Sequence, residues 1–172
     1  MDKKIIEAEF LACAGLCIND FNYEKKDVLV LNCENEKLLE FLDKLHCNIY
    51  DTSGVKKDKF DLIIDLKNDT TKHFLEMIKR DSIVIINLAN LESSINEALD
   101  SIKNADFNIK MPFKVADGYY LFLSNKFHPL SDICLQKIDM TESLKYYNAK
   151  IHEAAFAMPN YLKDALKGIA KN

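Results

Sequence analysis

Short runs of branched apolar residues alternate with amphipathic stretches along most of this chain. Runs with little polar interruption are typical of strands that are buried on both faces of a parallel sheet. We predict such strands at residues 28–31, 47–50, 60–65 and 83–88. Between them, apolar positions recur every three or four residues, which predicts helices at residues 4–17, 35–45, 71–79 and 91–103.

The last third of the chain predicts a different arrangement. Strands at residues 107–111 and 119–123 are expected to pair as an antiparallel hairpin through residues 112–118. A C-terminal helix is expected to follow Thr141 as its N-cap and to end at Pro159.

The alternation of strands and helices predicts one Rossmann-like α/β domain over residues 1–172, with helices on both faces of a parallel sheet and a C-terminal antiparallel hairpin. In such sheets a ligand binds beyond the carboxyl ends of the strands, where the strand order reverses. The residues to examine therefore follow Leu31, Tyr50, Ile64 and Leu88.

Composition and charge narrow the function classes. The chain has 172 residues, 48% of them hydrophobic and 29% charged, as expected for a globular domain of this length. A net charge of −4 argues against a non-specific nucleic-acid binder and is compatible with a cationic substrate. No apolar run approaches about 18 residues, and the N-terminus lacks a signal-peptide core, so we expect no membrane span and a cytoplasmic location.

The five cysteines are scattered and odd in number, which favours reduced thiols over a disulfide framework. Cys13 and Cys17 lie four residues apart, but no second pair of cysteines or histidines stands at ligand spacing. The sequence therefore argues against a zinc site, and we expect no metal.

The most distinctive sequence motif of the chain is LKYYNAKIHEAAFAMP, at residues 144–159. By spacing alone, Leu144, Tyr147 and Ile151 form an apolar stripe, which favours a helix packed on the core. The same residues resemble the C-terminal signature of the spermidine synthases, the polyamine aminopropyltransferases. In that family a paired tyrosine and asparagine precede a histidine and a small-apolar run that ends in proline. Residues 111–129 are similar to the family's upstream motifs.

The resemblance implies an adenosylmethionine-methyltransferase type of fold and a place in polyamine biosynthesis. The implied reaction is aminopropyl transfer from decarboxylated S-adenosylmethionine, a cosubstrate, to putrescine, without a bound cofactor. The implied partners are therefore a small polyamine and a nucleoside. The resemblance also implies that the small N-terminal β-domain of the family is absent here.

Three residues are candidates for the nucleoside cosubstrate. After the first strand the family has a glycine-rich turn that contains an aspartate, whereas this chain reads Asn32-Cys33-Glu34-Asn35-Glu36. Asn32 and Asn35 are therefore the candidates at this turn, and a solvated helix N-terminus is the alternative. After the second strand, Asp51 is the candidate for the ribose hydroxyls, although few residues separate it from the next strand.

The resemblance assigns the amine site to other residues. Asp65 is the candidate base, one place before the family's position, and Asp69 matches the family's second aspartate; the alternative is a strand end with a helix cap. Tyr147 is the second catalytic candidate, Tyr146 a substrate-binding one. Glu9 retains the glutamate of the family's N-terminal motif and is a third substrate-binding candidate.

Three interpretations of function stay open in the sequence. The first is a spermidine synthase-like aminopropyltransferase with full or reduced activity. The second is a catalytically degenerate homologue that acts as a binding or subunit-partner module, supported by the loss of the glycines and by the shift of the base. An exposed apolar patch on the N-terminal side would predict a protein partner or a homodimer. A small-molecule methyltransferase-like domain is a third interpretation, weakened by the same missing glycines.

Overall fold

A mixed sheet of six strands forms the centre of the protein in the computed structural model, which describes residues 1–18, 24–51, 59–67, 77–88, 91 and 95–170. The strands are β1 (Asp27–Leu31), β2 (Asn48–Tyr50), β3 (Phe60–Asp65), β4 (Ile78–Asn87), β5 (Ile109–Val115) and β6 (Gly118–Ser124). The helices are α1 (Lys3–Leu16), α2 (Glu36–Lys44), α3 (Ile95–Asn104), α4 (Leu135–Met140), α5 (Ala149–Ala155) and α6 (Asn160–Leu166). The predicted α/β class with a C-terminal antiparallel hairpin is confirmed.

The strand order β2-β1-β3-β4-β6-β5 places β1 and β3 side by side near one end of the sheet. Strands β1 to β4 are parallel, whereas β6 runs antiparallel to both β4 and β5. The chain leaves β1 for β2 on one side and then crosses to β3 on the other. The strand order therefore reverses between β1 and β3, and this is the position where open α/β sheets bind their ligands.

Apolar side chains from alternate strand positions cover both faces of the sheet. On one face, Ile64 and Phe122 pack with Phe10 of α1 and Leu38 of α2. On the other face, strand residues such as Ile63 and Ile86 pack with Ile102 of α3 and Leu162 of α6. Among the residues described, no helix combines the length and apolar character needed to cross a bilayer.

Three element boundaries differ from the predictions. The helix predicted at residues 71–79 lies mostly outside the described residues, but Ile78 and Lys79 belong to β4, because Ile78 pairs with Phe60 of β3. Thr141 does not begin the C-terminal helix and instead ends α4. That helix, α5, begins after Asn148, whose side chain accepts hydrogen bonds from the amides of Lys150 and Ile151 at 3.0 Å.

Two more helices are shorter in the structure than the sequence pattern predicts. Helix α5 ends at Ala155, before Pro159, and Pro159 is the N-cap of α6, which the sequence analysis did not predict. Helix α3 begins at Ile95, later than the predicted start at residue 91.

A buried carboxylate ties the segment before α5 to helix α1. Oε1 of Glu9 accepts hydrogen bonds from the consecutive backbone amides of Lys145, Tyr146 and Tyr147, at 3.0, 2.7 and 2.7 Å. Glu9 is 2% exposed, so this charge is stabilised by amides instead of water. Removing it would leave three amides without their acceptor.

A second anchor of the same segment runs through His152 of α5. Nε2 of His152 donates to the carbonyl of Pro129, and Nδ1 accepts from the hydroxyl of Tyr147, both at 2.8 Å. Both side chains are buried against the ring of Phe10. Because a carbonyl only accepts, this arrangement requires the neutral tautomer with its proton on Nε2. Burial lowers the pKa of His152 and raises that of Tyr147, which keeps both groups uncharged.

A buried lysine caps the C-terminal end of α3. Nζ of Lys110, on β5, donates to the carbonyls of Ile102, Ala105 and Lys103 at 2.8, 2.9 and 3.3 Å. Lys110 is 4% exposed. The last carbonyls of a helix have no partner within the helix, so this ammonium satisfies them and complements the negative end of the helix dipole.

We therefore expect Lys110→Met to lower the free energy of unfolding by about 1–3 kcal/mol, because the carbonyls lose a charged donor. Urea denaturation measures the change. The matched control is Lys103→Met, at an exposed position of the same helix, which should change stability by no more than about 0.5 kcal/mol. Equal losses in the two variants would contradict the capping role of Lys110.

The lowered pKa of His152 makes stability depend on pH. The unfolded chain takes up a proton near the ordinary histidine pKa of about 6.5, whereas the folded protein resists it. The free energy of unfolding should therefore be steady above about pH 6.5 and fall as the pH decreases below it. Urea denaturation across this range measures the slope.

The slope should be reduced in His152→Gln, which has no imidazole to protonate. His46→Asn is the control, since His46 is exposed and asparagine tolerates its backbone φ of 57°. An unchanged slope in His152→Gln would assign the pH dependence to other groups.

Candidate functional site

Asp65 and Asn32 meet at the point where the strand order reverses. Asp65 is the last residue of β3 and pairs in register with Leu31 of β1 and Ile86 of β4. Asn32 follows Leu31, and its Nδ2 donates to Oδ1 of Asp65 at 2.9 Å. The amide of Lys67 donates to the same oxygen at 3.1 Å. The carboxylate is completely buried, and these two donors fix its orientation.

Asn32 also explains how the chain turns here without glycine. Its backbone φ is 53°, in the left-handed region that favours glycine. Among other residues, asparagine and aspartate enter this region most readily. Asn32 therefore replaces a glycine conformationally and brings a side chain that holds Asp65.

Glu7 of α1 lies within a second group of polar side chains. The hydroxyl of Tyr120 donates to Oε1 of Glu7, and Nδ2 of Asn35 donates to Oε2 at 2.9 Å. Tyr120 lies opposite Asn87, the last residue of β4. Because β1 and β4 are parallel and Asn35 follows β1, this group lies at the carboxyl edge of the sheet.

The carboxylate of Glu7 accepts hydrogen bonds from neutral donors. Burial, together with the hydrogen bond to Glu7, raises the pKa of Tyr120, so the phenol stays protonated and donates. Within the part of the chain that the structure describes, no lysine, arginine or histidine forms an ion pair with Glu7. Glu7 is also partly exposed. It is therefore a carboxylate with fixed orientation that forms no ion pair with any of the described residues.

Both polar atoms of the Asn35 side chain form hydrogen bonds within the protein. Oδ1 accepts from the amide of Lys37 at 3.2 Å and caps α2. Nδ2 donates to the carbonyl of Lys4 at 2.9 Å as well as to Glu7. Asn35 thus links the start of α2 to the first turns of α1 and orients Glu7.

An ion pair joins the two loops that follow β1 and β3. Nζ of Lys67 lies 2.7 Å from Oε1 of Glu34, and both side chains are at least half exposed. The hydrogen bond and charge of Lys67 lower the pKa of Glu34. The positive charge of Lys67, two residues after Asp65, is therefore paired with an acid.

The structure brings some of the predicted site residues together. Asn32, Asn35 and Asp65 lie at the carboxyl edge, and the exposed Asp51 follows β2 at the same edge. Asp69 lies outside the described residues.

The other predicted residues do not join this group. Glu9 holds the amides of the segment before α5, and the half-buried Tyr146 contributes its amide to that contact. The hydroxyl of Tyr147 bonds to His152, and Tyr147 lies near Cys13 and Cys17, in the C-terminal half of α1. Glu7, by contrast, lies in the N-terminal half of α1, at the carboxyl edge.

Sequence reasoning missed Glu7 and Tyr120. The available signal was the position of Glu7 at the head of the stripe that continues through Phe10, Leu11 and Ala14, all buried. A carboxylate on such a stripe must find hydrogen-bond donors inside the protein. Nothing comparable in the sequence distinguished Tyr120 from its neighbour Tyr119.

Comparison with known proteins shows similarity to polyamine aminopropyltransferases. No protein-family model matches the chain. The polyamine aminopropyltransferase of Helicobacter acinonychis is 37% identical over 121 residues, which cover 63% of this chain and 45% of the relative. That of Helicobacter pylori (strain HPAG1) is 34% identical over 126 residues, covering 66% and 47%. That of Clostridium perfringens (strain ATCC 13124) is 28% identical, covering 83% and 62%.

The matched region thus spans about half the length of the two Helicobacter relatives. Among solved structures, spermidine synthase from Thermotoga maritima superimposes with a TM-score of 0.72 at 20% identity, covering 95% of this chain and 74% of that one. A spermidine synthase in complex with the transition-state analogue AdoDATO matches with the same TM-score at 19% identity. These two similarities show the shared fold. By these sequence identities the chain is similar to polyamine aminopropyltransferases over part of their length, and it shares the fold of spermidine synthase.

Proposed function

We propose that this chain is an aminopropyltransferase of the spermidine synthase type, which transfers an aminopropyl group from decarboxylated S-adenosylmethionine to putrescine. The observation that carries the proposal is the bond between Asn32 and Asp65 at the reversal of strand order. It places an oriented carboxylate where sheets of this class bind ligands. The relatives' name, polyamine aminopropyltransferase, supports aminopropyl transfer, and the donor and the acceptor are part of the proposal.

The reaction needs a group that accepts a proton and attracts a cation. The lone pair of a putrescine nitrogen forms a bond to the carbon beside the sulfonium, the carbon–sulfur bond breaks, and methylthioadenosine leaves. The attacking amine must also lose a proton, which Asp65 would accept. Its hydrogen bonds from Asn32 and the Lys67 amide keep Oδ1 oriented while this occurs.

Glu7 is proposed as the second carboxylate of the amine site. A carboxylate that neutral groups orient, and that pairs with no cation among the described residues, attracts an ammonium group. Tyr120 and Asn35 hold it in place and are positioning residues in this proposal. Asn32 and Asp51 are the proposed contacts of the nucleoside. Glu9, Tyr146 and Tyr147 are proposed as supports of the segment before α5.

A second candidate function is a binding or subunit-partner module without turnover. The observation that favours it is the ion pair between Glu34 and Lys67, which joins the loops on either side of the proposed site. The side chain of Asn35 is also engaged with the protein's own groups. In this alternative, the wild-type protein releases no methylthioadenosine from decarboxylated S-adenosylmethionine.

The test is the release of methylthioadenosine with putrescine as acceptor. Asp65→Asn should lower kcat by about 10²–10⁴-fold, because the amide cannot accept the proton, while the fold is retained. Asn32 and the Lys67 amide can still donate to the remaining carbonyl oxygen. Calorimetric titration with methylthioadenosine separates binding from turnover.

The matched control is Asp61→Asn, on the same strand but at its opposite end. Asp61 accepts from Lys79 at 2.7 Å and from the amide of Asp27 at 2.9 Å, away from the proposed site. It should keep wild-type turnover. A fully active Asp65→Asn would exclude Asp65 as the base, and a wild type that neither binds nor turns over would exclude the enzyme.

Glu7→Gln tests the amine site. Losing the charge should raise KM for putrescine by about 10–100-fold, the equivalent of about 1.5–3 kcal/mol, because an ammonium loses a charge-assisted hydrogen bond. Steady-state kinetics measure this, and the affinity for methylthioadenosine should not change.

Two controls accompany Glu7→Gln. Glu7→Asp retains the charge and should restore part of the affinity. Glu40→Gln alters an exposed acid of α2, paired with Lys37, and should have no effect. If Glu7→Gln lowers kcat without raising KM, Glu7 acts on the fold of the site and does not bind the amine.

A further inference from the structure

Two cysteines lie at a backbone contact where the end of α1 meets the start of α4. Cys17 is the C-cap of α1, and Cys134 is the N-cap of α4. The amide of Cys134 donates to the carbonyl of Cys17 at 2.8 Å, and the adjoining residues Ile18 and Ile133 form an antiparallel bridge. In antiparallel pairing with Ile18 opposite Ile133, Cys17 stands directly opposite Cys134.

This register sets the distance between the backbones of the two cysteines. Residues directly opposite each other in antiparallel pairs have Cα atoms about 4.5–5.5 Å apart. A disulfide requires a Cα separation of about 4.4–6.8 Å. The backbone at Cys17 and Cys134 therefore has the spacing of a disulfide without needing to move.

The surroundings give the two thiols different chemistry. Cys17 is 3% exposed, whereas Cys134 is partly exposed and accessible to a small oxidant. The hydrogen bond from the thiol of Cys13 lowers the pKa of Cys17, and Lys137 and Thr141 lower it further, although burial opposes them. Cys17 is thus the better nucleophile, because the thiolate is the reactive form.

We propose that Cys17 and Cys134 form a disulfide when the protein meets a hydroperoxide, so that this pair is an oxidative modification site. In the first step the sulfur of Cys134 is oxidised to a sulfenic acid, and the O–O bond of hydrogen peroxide breaks, releasing one water. In the second step the sulfur of Cys17 attacks that sulfur. The S–O bond breaks, and the hydroxide leaves with the proton of the Cys17 thiol as a second water.

The bond would join helix α1, which carries Glu7 and Glu9, to the segment that leads to α5. It would close a long loop of the chain, and closing a long loop restricts the unfolded state most. The oxidised protein should therefore unfold at a higher temperature than the reduced protein, and a thiol reductant should reverse the change. This inference does not depend on the proposed function.

The experiment treats the full chain with hydrogen peroxide, alkylates the remaining thiols, digests without reduction, and identifies linked peptides by mass spectrometry. The expected result is a peptide pair joined through Cys17 and Cys134 as the main linked product, with a raised Tm. Alkylated Cys17 and Cys134 after oxidation, or a main link between Cys13 and Cys17, would overturn the proposal.

Two variants provide the controls. Cys134→Ser should give no link at Cys17 and no rise in Tm on oxidation. Cys33→Ser changes a partly buried cysteine in the loop after β1, and should form the link as the wild type does. A Tm rise that persists in Cys134→Ser would assign the effect to other thiols and would also overturn the proposal.

Discussion

The contact on which the arrangement of the C-terminal part depends is the buried carboxylate of Glu9. One of its oxygens accepts from three consecutive amides, those of residues 145–147. A buried charge of this kind is stable only with several donors, and three amides aligned on one oxygen have few other acceptors. Glu9 therefore fixes the segment before α5 on α1. The bonds from Tyr147 through His152 to Pro129 extend the same attachment.

Because Glu9 fixes the position of α1, it also fixes the position of Glu7, which lies on α1 at the carboxyl edge of the sheet. Glu7 lies two residues before Glu9 and contacts Tyr120 of β6 and Asn35 at the start of α2. Asp65 lies at the same edge, where β1 and β3 separate. The two carboxylates differ in their surroundings, since Asp65 is completely buried and Glu7 is partly exposed. The proposed division between a proton acceptor and an ammonium-binding group follows from that difference.

Much of the fold could be predicted because the strands carry strong apolar signals. The run at residues 60–65 coincides with β3 and so locates Asp65 at a strand end. Helices α4 and α6 were missed because six or seven residues hold too little periodicity to detect. The role of Glu9 could not be read from the sequence, since its amide partners are more than 130 residues away. The resemblance to the spermidine synthases agrees with the relatives that the comparison found, but the tyrosines that carry it are buried or half-buried beside α1.

The most direct measurement of the central claim is a crystal structure of the protein with methylthioadenosine and putrescine. The account predicts the nucleoside beyond the ends of β1 and β3, beside Asn32 and Asp51. It predicts the putrescine nitrogens within hydrogen-bond distance of Asp65 and Glu7. Ligands bound elsewhere, for example in the cavity of about 320 Å³ between β5 and α6, or no bound ligand at saturating concentration, would contradict it.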